Sequence, residues 1–130
     1  MLPAFALLLA AAAPTQATAN DDVMARYRAA DAALNTRYRA TMAFMAKRDA
    51  ARRNNLKNGA ERPDGDPGYQ AALLASQRAW LTYRDTQCTL ASFEFRGGSA
   101  QGLARGVCLT DLTRARTTEL ATLRRNLSPK

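Results

Sequence analysis

The stretch W80-L-T-Y-R-D-T-Q-C88 sets Trp80, Arg84 and Cys88 four residues apart. A helix places all three on one side. An arginine in such a stripe needs a reason, because a buried charge must find a partner or reach water. Asp31 is the other charge that interrupts an otherwise apolar face. An Asp31–Arg84 ion pair between two helices is therefore expected, with Tyr38, Gln77 or Arg116 supplying or competing for hydrogen bonds. The alternative is an arginine lying along the edge of the seam with its guanidinium in solvent. The neighbouring aromatics carry two readings as well. Trp80 reads as core and Tyr83 as its rim, or Tyr83 faces a partner as a binding hot spot.

Much familiar chemistry lacks its residues. The chain has no histidine, which removes Ser-His-Asp and Cys-His catalysis and the commonest metal ligand. Its two cysteines, Cys88 and Cys108, match neither a zinc site nor a CxxC redox pair. No glycine loop is placed to cradle a phosphate. Two aspartates in the loop A60-E-R-P-D-G-D-P-G68 lack a longer liganding pattern. Asp31, Asp85, Glu94, Asp111 and Glu119 are the helical carboxylates that a glycosidase-like mechanism would draw on, but a domain of this size offers little room for the cleft it needs. The expectation is a protein without enzymatic activity, metal or cofactor.

These residues sit on an expected all-α scaffold, a three-helix antiparallel arrangement. The first helix is expected from about Asp22 to Lys57, with Met24, Tyr27, Asp31, Leu34, Tyr38, Thr41 and Met45 on one face and Asp21 and Asp22 at its N-cap. Two prolines and two glycines between residues 60 and 68 make a loop, readable as a mobile tip. The second helix is expected from about Tyr69 to Phe95. Its seam is Leu73, Gln77, Trp80, Arg84, Cys88, Ala91 and Phe95, and Gly97-Gly98 ends it. The third helix is expected from about Ala100 to Leu127, irregular near Gly102 and Gly106, with Leu109, Leu112, Arg116, Leu120, Leu123 and Leu127 inward. No stretch alternates with period two, so no sheet is expected.

The first 19 residues carry no charged side chain. Leu2 to Ala13 is a short apolar run, and Ala17-Thr18-Ala19 reads as a cleavage site, so residues 1–19 are expected to be a signal peptide and 20–130 the mature domain. Periplasmic or secreted localisation follows. In that oxidising compartment Cys88 and Cys108 are expected to pair. They stand nine residues before and ten after the Gly-Gly turn, where an antiparallel helical hairpin brings residues side by side. The 19 basic residues exceed the 11 acidic ones by eight, all in residues 20–130. A charge of that size favours anionic envelope polymers, lipid head groups or acidic protein surfaces, and nucleic acid is not an expected partner for an exported chain. No transmembrane segment is expected in the mature part.

S76-Q-R-A-W-L-T-Y-R-D-T-Q-C88, then G97-G-S99, then C108-L-T-D-L-T-R-A-R-T-T-E-L120, with A30-D-A-A-L-N-T-R-Y38 upstream, resembles the LprI-type lysozyme-inhibitor family over about residues 22–125. The resemblance implies a small exported helical protein that binds and inhibits lysozyme, the glycosidase that cuts peptidoglycan. Relatives with a cysteine near the start of the first helix differ from this chain, which has Asp21-Asp22-Val23-Met24 there and so no tether of helix one. A charge of +8 repels a basic lysozyme at long range, which points to a less basic muramidase or to another role in the envelope. For inhibition, the segment F93-E-F-R-G-G-S99 is the expected contact. Arg96 would meet the catalytic carboxylates, and Ser99 and the backbone N–H groups around Gly97 and Gly98 would add hydrogen bonds. Otherwise that segment is only a helix end and a hairpin turn.

Overall fold

The computed structural model describes residues 12–129. They form three helices in up-down-up order: α1 Gln16–Lys57, α2 Tyr69–Ala91 and α3 Gln101–Leu127. A single 3₁₀ turn, Ser92–Phe95, ends α2, and no strand occurs among the described residues. α3 packs most extensively on α1. Most of the apolar run expected to be a leader lies outside the described residues. No described helix is long and apolar enough to cross a membrane.

α1 starts six residues before the expected Asp22, because Thr15 supplies the cap: its hydroxyl accepts from Thr18 N. Asp21 and Asp22 are therefore exposed residues within the helix. The inward face of α1 is Val23, Ala30, Leu34, Thr41 and Met45. Val23 takes the place expected for Met24, which is 38% exposed. The cause lies on α3. Gly106 is buried there, and a Cβ on it would come within 2.3 Å of Val23 Cγ1. Its missing side chain lets the two backbones close on each other. Neither Gly102 nor Gly106 interrupts α3.

The apolar core is small. Leu34, Met45, Leu73 and Leu120 form its centre, with Tyr38, Met42, Phe44, Tyr69, Trp80 and Leu127 packed around it. Each fully buried leucine contributes about 2 kcal/mol. Polar residues fill much of the rest: Thr41, Thr113, Ser92 and Thr110 are buried. Thr41 and Thr110 donate to carbonyls four residues back, Arg37 O and Gly106 O, so each hydroxyl is satisfied locally. Leu123, expected inside, is 36% exposed.

The seam of α2 runs inward through Leu73, Gln77, Arg84 and Cys88 and then stops. Ala91 and Phe95 are exposed. The chain tightens to three residues per turn at Ser92, whose hydroxyl donates to Thr89 O, and this rotates Phe95 out of the seam. Gly97 follows with φ +78°, a left-handed conformation that favours glycine. The disulfide Cys88–Cys108 joins α2 to α3 just below this turn, with Cα atoms 5.4 Å apart.

The loop 60–68 is tied down. Arg52 pairs with Asp64 and Glu61, and Asn55 donates to Glu61. The next helix has no cap of its own at Gly68. Asp49 of α1 supplies one, accepting from Tyr69 N at 2.7 Å and Gln70 N at 3.0 Å. A carboxylate at that end also meets the positive pole of α2.

Candidate functional site

Arginines cross-link the helices at successive levels. In the middle, Arg84 is 6% exposed. Its Nη1 lies 3.4 Å from Asp31 Oδ1 of α1, and its Nε lies 2.9 Å from Asp85 Oδ1. The guanidinium also stands 5.5 Å from the Tyr27 ring and 5.2 Å from the Trp80 ring. Trp80 is only half-buried, and Arg116 lies 5.8 Å from it. Arg116 in turn donates to Gln77, Ser76 and Glu119. Of the expected hydrogen-bonding neighbours, Gln77 is thus taken by Arg116 rather than by Arg84. Asp31 and Asp85 both contact the Arg84 guanidinium. The Asp31–Arg84 contact ties α1 to α2 at this level, and Arg116 joins α3 to α2 through Gln77 and Ser76, whereas Arg84–Asp85 and Arg116–Glu119 lie within one helix each.

A second cluster closes the far end of the bundle. Arg48 donates to Leu127 O and to Tyr69 OH, with its guanidinium 4.7 Å from the Tyr69 ring. A cation on the last carbonyls of α3 also meets that helix's negative pole. Sequence reasoning passed over Arg48 and Asp49, because half-buried polar residues inside a long helix look like a solvated face. One signal was available: Gly68 offers α2 no side-chain cap, so a carboxylate from elsewhere had to serve.

The expected partner-binding residues fall into two groups. Arg96, Gly97, Gly98 and Ser99 are exposed together at the hairpin turn. Tyr83 is 53% exposed but lies roughly 20 Å back along α2, at 1.5 Å per residue. Within the turn, the backbone N–H groups of Arg96 and Gly98 donate to Phe93 O and Phe95 O. That of Gly97 donates to Gln101 Oε1. These donors hold the turn in shape and are not free for a ligand, as the sequence alone had suggested. Ser99 O accepts from Gln16 of α1.

The outward groups are the Ser99 hydroxyl, the Phe93 and Phe95 rings, 39% and 43% exposed, and the Arg96 guanidinium 3.8 Å above the Phe93 ring. Among the described residues Arg96 makes no ion pair or side-chain hydrogen bond. Beside it, Asp85, Thr86, Thr89, Leu90, Phe93 and Arg105 line an open groove of about 350 Å³. No group of three potential metal ligands occurs among the described residues.

A family model described as Lysozyme inhibitor LprI matches residues 10–120. An uncharacterized protein of Rhizobium meliloti (strain 1021) is 47% identical over 100 residues, which cover 75% of this chain. The match spans 65% of the length of that curated relative. No solved structure matches.

Proposed function

The chain belongs to the LprI lysozyme-inhibitor family, and from that premise we propose that it is an exported, non-catalytic binding protein whose target is a lysozyme-type glycosidase. Residues 1–19 act as the leader in this reading, and the mature protein works in the periplasm or outside the cell. The observation that carries it is the exposed Arg96–Phe93 stack on a turn whose backbone is already satisfied. A turn of this kind enters a substrate cleft without reorganising. Glycosidases of this class hold two carboxyl groups in their cleft, and a guanidinium pre-stacked on a ring meets a carboxylate with little entropy left to lose. Phe93 and Phe95 supply the apolar contact that a sugar subsite accepts. Ser99 adds one hydroxyl.

The charge of +8 selects among targets, favouring a muramidase that is not strongly basic. The test is residual muramidase activity against the oxidised, purified protein, with lysozymes of different net charge at two salt concentrations. Stoichiometric inhibition that survives the higher salt is expected for at least one of them, and Arg96→Ala should weaken it at least tenfold. Equal potency of Arg96→Ala would remove the turn from the reading. No inhibition across the panel would remove the target class.

The charge distribution favours a second reading. α1 holds nine basic and four acidic residues, and α3 five and two, whereas α2 holds two and one. A basic envelope module would bind an anionic polymer or lipid through α1 and α3. Such binding falls steeply with salt, as counterion release requires, and it would not depend on Arg96 alone.

A further inference from the structure

The N-terminal end of α1 holds two capping signals. The one in use is Thr15, whose hydroxyl accepts from Thr18 N at 3.3 Å. The other is Asn20, followed by Asp21 and Asp22. Asparagine ranks among the best N-cap residues, and carboxylates are favoured in a first helical turn. In the helix as it stands this second signal is idle. Asp21 and Asp22 are exposed and lie beyond the first turn, and neither makes an ion pair among the described residues. The Asn20 side chain accepts from Gln16 Nε2 at 3.3 Å instead of from a backbone N–H.

The segment before Asn20 is built differently from the helix after it. Residues 12–18 are all exposed, Ala19 and Asn20 are half-buried, and the first buried residue is Val23, against Gly106. Gln16 ties this segment to the Arg96 turn by donating to Ser99 O at 3.2 Å. The A-x-A sequence Ala17-Thr18-Ala19 ends where the second signal begins. A cut behind Ala19 would remove Thr15, Gln16 and the bond to Ser99 O together. It would leave the Asn20 side chain free to accept from the N–H of Asp22 or Val23, two or three residues on. Asp21 and Asp22 would then stand in the first turn, where they meet the positive pole of the helix and offset the new α-amino charge. The sequence thus carries a replacement cap at the position the cut exposes.

We propose that α1 has two starts, used in turn: Thr15 in the uncut chain and Asn20 after a cut behind Ala19. The change of start frees the Arg96 turn from α1. The packed part of the helix, from Val23 onward, is the same in both forms. What differs is Ser99, whose carbonyl is held by Gln16 before the cut and open to a partner after it. The carbonyl then adds an acceptor beside the Ser99 hydroxyl on the contact face. The exchange of caps rests on residues 1–19 being the leader, as proposed above, and not on the identity of the target.

Two forms of the protein test this: the exported chain, whose first residue is read from its intact mass, and the full-length chain made without export and oxidised after purification. The exported form should begin at Asn20. In that form Asn20→Ala should lower the folding equilibrium constant about fivefold, the loss of one N-cap, and Asn20→Asp should preserve it. In the full-length form Asn20→Ala should leave the constant unchanged. The Ser99 carbonyl carbon resonance should differ between the two forms, and Gln16→Ala in the full-length chain should move it to its exported position. An exported chain that begins anywhere but Asn20, or an equal effect of Asn20→Ala in both forms, would overturn the exchange of caps. A Ser99 resonance that is the same in both forms would overturn the release of the turn. Absence of muramidase inhibition by either form would strike the target reading alone, because the mass, the stability and the resonance decide this proposal without it.

Discussion

Each end of the bundle places an arginine over an aromatic ring, and the two pairs do opposite things. At one end Arg48 covers Tyr69, and its guanidinium also holds Leu127 O and Tyr69 OH. Three helices meet on one side chain. At the other end Arg96 covers Phe93 at 3.8 Å, nearer to its ring than Arg48 is to Tyr69, and has no further partner among the described residues. The residue types are alike, and what separates a strut from the proposed binding group is the fate of the remaining N–H donors. The end that presents Arg96 is held by other means: the disulfide and a self-bonded turn. It stays in shape without using the guanidinium.

The largest effect should come from removing that covalent hold. A loop of 20 residues is worth roughly 3 kcal/mol in the chain-entropy model. The double variant Cys88→Ala, Cys108→Ala should therefore lose about that much in chemical denaturation. Its amide exchange should rise first in residues 92–100 and last around Arg48. Uniform loosening would mean that the two ends are not independently held.

Next comes the exchange of roles between the arginines. Arg48→Ala gives up two charge-assisted hydrogen bonds and a ring contact and should cost about 2 kcal/mol. Inhibition per folded molecule should be kept. Arg96→Ala should change stability by under about 0.5 kcal/mol, as exposed substitutions do, and should lose inhibition instead. If Arg96→Ala destabilised as much as Arg48→Ala, the contrast between the ends would collapse.

How far the sequence carried this picture depends on what each residue answers to. The seam of α2 was legible from Leu73 to Cys88, because steps of three and four leave a helix little choice. It misled at Ala91 and Phe95, where a change to 3₁₀ winding depends on the bond from Ser92 to Thr89 O, a local choice that periodicity does not encode. Val23 and Met24 are adjacent, and only the absence of a side chain at Gly106, 83 positions beyond Val23, decides between them. Thr113, wholly buried, was missed beside Leu112 because threonine serves equally in a core and on a surface. Asp31 and Arg84 stood out as charges on an apolar stripe, and they lie in contact. Tyr83 and Arg96 stood out by type alone. Their separation on two surfaces is a matter of helix length and phase, which only the fold supplies.

The smallest effect belongs to the loop beside the Arg48 end and tells whether that end extends beyond its helices. The amide of Asp66 and then Arg52 hold the Asp64 carboxyl below its usual range, and Asp64 above all raises Arg52. A carboxyl lowered by folding favours the folded loop at every pH above its unfolded value. That contribution disappears as pH falls through the lowered folded value, while Arg52 stays charged throughout. The Asp66 amide resonance should therefore titrate with a midpoint below about 4 and remain flat from there to neutral pH. Asp64 is exposed and Arg52 only half-buried, so Asp64→Ala should speed amide exchange in residues 60–68 without moving the melting temperature. A fall in melting temperature comparable to that of Arg48→Ala would place the loop within the same mechanical unit. The structural end of the molecule would then include the segment that its two prolines and two glycines had marked as the least constrained.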